Sequence, residues 1–423
     1  MNDYKLAFFI QLEKNKKQLE NADIEYGNPG VGGTQYLFLL TVLELNRIYG
    51  DNYALLLSDT YLNLKKGLNI KCVKDENEAI EYCQTNKIEK IVLNANAADR
   101  INSRFLDSSV SIILWAHNTL NAKRQSIAAH ANSIKAVVCV SKSQYNNMSD
   151  TPCFSKCSYI NNIIPSFFYN HSILSDYSEE KAVYVGSLMP QKGSHNLLEI
   201  WKYVEKKRPN AKLYIFGGAN VWNSKAKLGK GGFADPYYER ILKKRIKKLL
   251  HPENVHFMGA KDWNYINQFI SSFRVGIVNP SHYMRDETFC LSAVELSAHG
   301  LPVVSRQRND GLTTTIMHKE TGFLEKKDKD IAERIVEIIS DENKCKSLGN
   351  NAHEFASRFV PQKEVVKWEN IANENINQIP NGHSALLSND SILLRRDFFL
   401  KIVFLLESGK FIDLMKKKLK IFS

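Results

Sequence analysis

Asp286-Glu287-Thr288-Phe289-Cys290-Leu291-Ser292-Ala293-Val294-Glu295 runs directly into Leu296-Ser297-Ala298-His299-Gly300-Leu301-Pro302-Val303-Val304. The first block reads as a loop entering a helix near Leu291, and the second as the end of that helix, a glycine turn and an apolar strand. Glu287 stands in the loop and Glu295 on the helix, eight positions apart. The first N–H groups of such a helix have no partner within it and carry the positive end of its dipole. They face the loop that holds Glu287, so the stretch predicts an anion-binding terminus flanked by two carboxylates able to accept hydroxyl hydrogen bonds. A ligand joining a diphosphate to a sugar needs both kinds of group. Taken alone, Glu295 reads as an ordinary helix glutamate, and only the pairing with Glu287 gives it this meaning.

Upstream, Val183-Tyr184-Val185-Gly186-Ser187-Leu188-Met189-Pro190-Gln191-Lys192-Gly193 ends an apolar strand in a glycine loop and places Lys192 just before a new helix. An ammonium and helix-terminal N–H groups can surround one phosphate in that arrangement. By itself the run reads as a solvated surface lysine. Further out, apolar strand-like runs at 5–10, 53–57, 90–94, 111–115 and 136–140 alternate with helical patterns, and runs at 182–185, 212–216, 254–258, 275–278 and 302–305 repeat the theme. The pattern opening near Gly33 carries Leu37, Leu40, Leu43 and Leu45, which suits a helix packed on a sheet. This alternation predicts an α/β protein with two parallel sheets and crossover helices, and 423 residues exceed what one core usually supports. We divide the chain into 1–170, 171–378 and 379–423, with the linker at 165–177, where Pro, Asn, His and Ser lack periodicity. The Lys- and Gly-rich stretch 220–235 reads as a surface loop.

Hydrophobic residues make up 43% and charged residues 24% of the chain, a soluble globular profile. Lys and Arg number 57 against 45 Asp and Glu, and the net +12 favours phosphate-bearing partners without choosing among them. The seven cysteines form no paired Cys-x-x-Cys motif, so neither a disulfide framework nor a zinc site is expected. No signal peptide and no run of ~18 apolar residues is present in the sequence, and a cytoplasmic location is the expectation.

The order of these signals resembles the family 4 retaining glycosyltransferases of the GT-B fold, over roughly residues 5–370. The Val-Gly and Lys-Gly phosphate loop, the Glu, seven residues, Glu motif and the small-Gly-x-Pro-Val strand entry are joined by several further matches. These are Gly32-Gly33-Thr34, Trp115-Ala116-His117-Asn118, Val138-Cys139-Val140-Ser141, Ile160-Asn161-Asn162, Phe216-Gly217-Gly218 and Thr321-Gly322-Phe323-Leu324. The resemblance implies two facing Rossmann-like domains with a cleft between them. It implies transfer of a sugar from a nucleotide-sugar donor to a glycan or lipid-linked acceptor, with retention and without a metal, in bacterial surface polysaccharide or lipopolysaccharide biosynthesis. The nucleotide sugar is then a co-substrate and no cofactor is expected.

By the same resemblance, Lys192 neutralises the leaving diphosphate, Glu287 binds and orients the transferred sugar, and His117 stands near that sugar on the opposite wall, unless it is a packing histidine at a strand end. Gly32, Gly33, Gly186, Ser187, Phe289, Cys290 and Leu291 line the donor site, and Glu295 accepts hydrogen bonds from the ribose. Two positions depart from the family pattern. Ser187 stands where an Arg is usual, leaving room for another cation to substitute, and Cys290 stands where Gly is common, so its backbone is expected to avoid positive φ.

A GT-B-like epimerase or phosphorylase would share the fold and the phosphate chemistry. A non-catalytic nucleic-acid-binding protein would use the basic surplus, but no nucleic-acid motif is present and no such partner is expected. From 391 to 423, eight basic residues against three acidic ones are interleaved with apolar residues. That tail is expected either to hold the protein peripherally on an anionic membrane surface or to pack on the protein itself.

Overall fold

Leu6-Ala7-Phe8-Phe9-Ile10 has no polar residue on either face, a pattern suited to a parallel strand covered on both sides. In the computed structural model, which describes residues 4–169, 178–219, 228–282, 287–308 and 310–373, this run is β1 (Leu6–Ile10), buried at every position. Around it lie β2 (Ala54–Ser58), β3 (Ile70–Cys72), β4 (Lys90–Asn94), β5 (Ser111–Ala116), β6 (Ile134–Cys139) and β7 (Cys157–Tyr159). All pair in parallel, in the order β3-β2-β1-β4-β5-β6-β7. The second sheet comprises β8 (Lys181–Val185), β9 (Lys212–Phe216), β10 (Val255–Gly259), β11 (Val275–Ile277), β12 (Val303–Arg306) and β13 (Gly322–Glu325). It is also parallel, ordered β10-β9-β8-β11-β12-β13. Strand order reverses beside β1 in one sheet and beside β8 in the other, and open parallel sheets bind ligands outside the carboxyl ends of such strands.

The ten strands expected from sequence are present, with ends shifted by no more than two residues. β3, β7 and β13 were not anticipated. β3 and β7 are three-residue edge strands, and β13 has four residues at the far edge of the second sheet. Such runs are too short to display periodicity, and pairing with a neighbour defines them. Most of the expected linker, part of the loop 220–235 and the whole tail 379–423 lie outside the described residues.

Alternation along β1 sends Leu6, Phe8 and Ile10 to one core and Ala7 and Phe9 to another. The core containing Phe8 is continuous with the inner face of the second sheet through Val183, Phe216 and Trp263. The chain crosses back to the first sheet after the second is complete. The helix Pro361–Asn373 packs on the helix Gly33–Tyr49, and Trp368 lies 5.4 Å from Phe8 and 4.9 Å from Trp115, ring centre to ring centre. Glu364 accepts hydrogen bonds from Asn161 N (2.9 Å) and Nδ2 (3.0 Å), which fastens the same helix beside β7. Trp368→Ala empties a buried indole site and is expected to cost about 3–5 kcal/mol, read as a lower urea midpoint. A loss below about 1 kcal/mol would show that the returning helix is not part of the core.

Candidate active site

The carboxyl ends of the two sheets face one cavity of about 460 Å³. Gly33, His117, Gly186, Ser187, Lys192, Glu287, Phe289, Cys290, Leu291 and Glu295 all line it. Gly32 stands one residue behind the lining, as the N-cap of the helix Gly33–Tyr49. Residues far apart in the chain therefore converge on one space, with Gly32 as the exception among those picked out from sequence.

Lys192 ends the short turn Pro190–Lys192 after β8. The next residue, Gly193, has φ 75° and opens the helix Ser194–Lys207; a Cβ there would stand 2.4 Å from the Ser281 nitrogen, so glycine is required. The Lys192 ammonium lies 2.5 Å from Glu287 Oε2, and Asn279 Nδ2 donates to the same oxygen at 2.6 Å. Burial is the largest influence and would lower the lysine pKa, but the Glu287 charge, the neighbouring Cys290 and the hydrogen bond to Glu287 together outweigh it, and the net shift is upward. Lys192 thus remains a cation, with a third of its side chain open (33%).

The loop carrying Glu287 is held by its own half of the protein. Glu287 N donates to Asp310 Oδ2 (3.2 Å), and Gly311 N donates to the Glu287 carbonyl (2.5 Å). A Cβ on Gly311 would meet the Thr288 carbonyl at 2.4 Å. The helix Leu291–Ala298 starts where sequence placed it, and Cys290 has φ −86°, away from the left-handed region as expected. Its N-terminus has no side-chain cap, and neither has that of the helix Gly33–Tyr49. Two helix termini and an ammonium therefore face the same cavity, a concentration of positive potential suited to a diphosphate.

Glu295 lies deeper and is only 4% exposed. Burial pushes its pKa up to about 8 despite a hydrogen bond from Trp263, and Oε1 has no partner among the described residues. The folded value exceeds the ordinary 4.5, so the folded protein holds an extra proton between them, and stability falls as pH rises from about 4.5 to about 8. We expect Glu295→Gln to remove that component of the slope. Urea midpoints of wild type and variant should converge toward pH 5 and separate toward pH 9, and parallel profiles would contradict the assignment.

His117 follows β5, with its ring against Trp115 (4.3 Å) and Phe38 (5.8 Å). Burial pulls its pKa down to about 3, so it is neutral across the physiological range, and its buried Nε2 has no partner among the described residues. It packs as a strand-end histidine does, yet it keeps an unspent ring nitrogen and lines the cavity.

Sequence reading passed over Asn279, Lys261 and Trp263, which also line the cavity. Asn279 adopts φ 38° immediately before Pro280, and an Asn-Pro pair after a strand is a recognisable turn signal. Lys261 brings a second cation to the cavity on which Ser187 stands, with its Nζ 4.5 Å above the Tyr265 ring. Nothing local marks Trp263, which opens the helix Trp263–Asn267 after β10 and reaches Glu295 only through tertiary packing. Asp328-Lys329-Asp330 has the spacing of an acidic metal motif, but it opens the helix Asp328–Ser340, and Asp328 pairs with Arg306 and with His282 (3.2 Å) outside the cavity lining. Among the described residues, no three His, Cys, Asp or Glu side chains gather in a metal-binding group, and no helix is long and apolar enough to cross a membrane.

Residues 169–355 match the family of glycosyl transferases group 1. An uncharacterized glycosyltransferase of Methanocaldococcus jannaschii is 26% identical over 310 residues, 68% of this chain and 79% of the relative. The capsular polysaccharide biosynthesis glycosyltransferase CapM of Staphylococcus aureus is 27% identical over 191 residues, 44% of this chain and 43% of that one. Among solved structures, Anabaena HepE in complex with UDP-glucose superposes with a TM-score of 0.61 at 16% identity, covering 87% of this chain and 99% of that one. The fold shared with such neighbours is GT-B.

Proposed function

We propose that this chain, a glycosyltransferase of GT-B architecture, transfers a hexose from a nucleotide sugar to a glycan or lipid-linked acceptor in bacterial surface polysaccharide assembly. The observation that carries the donor assignment is the Lys192–Glu287–Asn279 cluster, set in one cavity with two helix N-termini. The name of CapM, a capsular polysaccharide biosynthesis enzyme, supports the pathway.

In this reading the diphosphate displaces Glu287 from Lys192 as the donor enters. The ammonium then stabilises the leaving group, and the released carboxylate takes up hydroxyls of the sugar. As the C1–O bond to the diphosphate breaks, its electron pair goes to the departing phosphate oxygen. The acceptor oxygen forms the new bond to C1, and its proton passes to that phosphate. Charge develops on the diphosphate, where preorganised donors act most strongly. His117, being neutral, serves as a hydrogen-bonding wall for the sugar rather than as an acid, and Glu295 meets the ribose hydroxyls. Lys261 is the candidate for the cationic role vacated at Ser187. Retention, as in the family 4 enzymes this chain resembles, would appear as the donor's anomeric configuration in the product NMR spectrum.

A thermal-shift screen of nucleotide sugars, followed by mass spectrometry of products on lipid-linked acceptors, tests the proposal. Inertness toward every nucleotide sugar would overturn it. Transfer is also expected to persist in excess EDTA, since Lys192 and the helix termini provide positive potential at the diphosphate. Abolition by EDTA with recovery on adding Mg²⁺ or Mn²⁺ would require a metal-dependent step. We also place the protein in the cytoplasm, peripheral to the membrane through its tail. Unchanged sedimentation with anionic liposomes after deletion of 391–423 would remove that part of the proposal.

A further inference from the structure

The peptide next to Glu287 is tied across the cleft by uncharged groups. Thr288 Oγ1 donates to the His117 carbonyl at 2.8 Å, while the Thr288 carbonyl accepts from Ser141 Oγ at 2.6 Å. All three residues are buried. Ser141 is held in turn, since its Oγ accepts from Gln144 N (3.0 Å) and Gln144 Nε2 donates to the Ala116 carbonyl (2.8 Å). Beside them, Ser143 Oγ meets Thr313 and Thr314 Oγ1 at 2.9 Å each. On the other flank, Phe289 packs edge-to-face on Phe359 at 5.4 Å, and the Phe359 carbonyl accepts from Ile164 N at 3.0 Å. Ile164 and Phe359 stand where the chain leaves the first half and where it returns, so both crossings meet next to the carboxylate loop.

We propose that Thr288 and Ser141 are positioning residues, which clasp the two halves together and thereby set His117 and Glu287 opposite each other across the donor cavity. This rests on the reading of that cavity given above. Thr288 follows Glu287 directly and bonds to the backbone of His117 itself, so a single side chain relates the two walls. The bonds exist only while the halves are together; separating them breaks both hydrogen bonds, which join four buried polar groups, at once, and this makes closure steep rather than gradual. Glu287 keeps its bonds to Asp310 and Gly311 on its own half. Opening therefore removes the facing wall, with the helix terminus at Gly33, and leaves the donor's contacts with Lys192 and the rest of the second half in place. Because the groups at this seam are hydroxyls, amides and carbonyls, salt should barely affect the clasp itself.

The test uses the full chain carrying Thr288→Val with Ser141→Ala, and Thr288→Ser as the conservative variant. Small-angle scattering reads the separation of the halves at 0.05 M and 1 M NaCl, and calorimetry with UDP and GDP reads nucleotide binding. The double variant is expected to show a larger radius of gyration at both salt concentrations. Nucleotide affinity should fall by clearly less than kcat, which on the donor found by the screen should fall at least about tenfold. Thr288→Ser should match wild type in all three. Scattering identical to wild type in a folded double variant would overturn the clasp, as would a loss of nucleotide affinity equal to the loss of kcat. The scattering result stands even if no nucleotide sugar is turned over, so failure of the clasp and failure of the glycosyltransfer reading are distinguishable.

Discussion

Lys192→Ala is expected to lower kcat roughly 100- to 1000-fold at saturating donor, the range found when one preorganised donor to a developing oxyanion is removed. The ammonium is matched by Glu287 at 2.5 Å and its pKa is raised, so the side chain carries its full charge. Its contribution must grow as the diphosphate gathers charge, which places the loss in kcat more than in KM. Lys192→Arg should recover only part of it, because the guanidinium is larger and spreads its charge. A variant with normal kcat and a raised KM would assign Lys192 to ground-state binding. Normal values of both would remove it from the site.

Glu287→Gln is expected to separate two properties that most site variants lose together. Turnover should fall ~10- to 150-fold, as expected from losing a charged hydrogen-bond acceptor for the sugar. Nucleoside diphosphate should bind as well as to wild type or more tightly, because the substitution frees Lys192 of its competing counter-ion. The two residues share one interaction, so the effects of Lys192→Ala and Glu287→Gln should not add in the double variant. Kinetics with calorimetry on the three proteins would decide it. Weakened diphosphate binding in Glu287→Gln would contradict exchange of Lys192 between carboxylate and phosphate.

Much of the architecture was legible in the chain because it rests on local patterns. Runs such as Leu6 to Ile10 or Val303 to Val304 cannot face water, and their alternation with helical stretches admits few arrangements besides parallel sheets. The start of the helix at Leu291 follows from the change of hydrophobic pattern, and the turn at Gly193 from a φ preference, both of which a sequence displays directly. The edge strands β3 and β7 were not legible, since three residues carry no periodicity and only pairing with a neighbour makes them strands.

For the site, sequence by itself determined the residue types and the ends of strands at which they stand: Lys192 after β8, His117 after β5, Glu287 and Glu295 around one helix start. Their chemistry depended on the tertiary structure. Only packing brings Trp263 under Glu295 and removes the water that would hold that carboxyl at its ordinary pKa. Only packing seals His117 into neutrality, sets Asn279 and Lys192 on the same carboxylate oxygen, and passes the bonds of Thr288 across the cleft. Propensity and patterning act over a few residues and so can be read along the chain, whereas desolvation and charge pairing depend on distances between segments that meet only when the two sheets face each other.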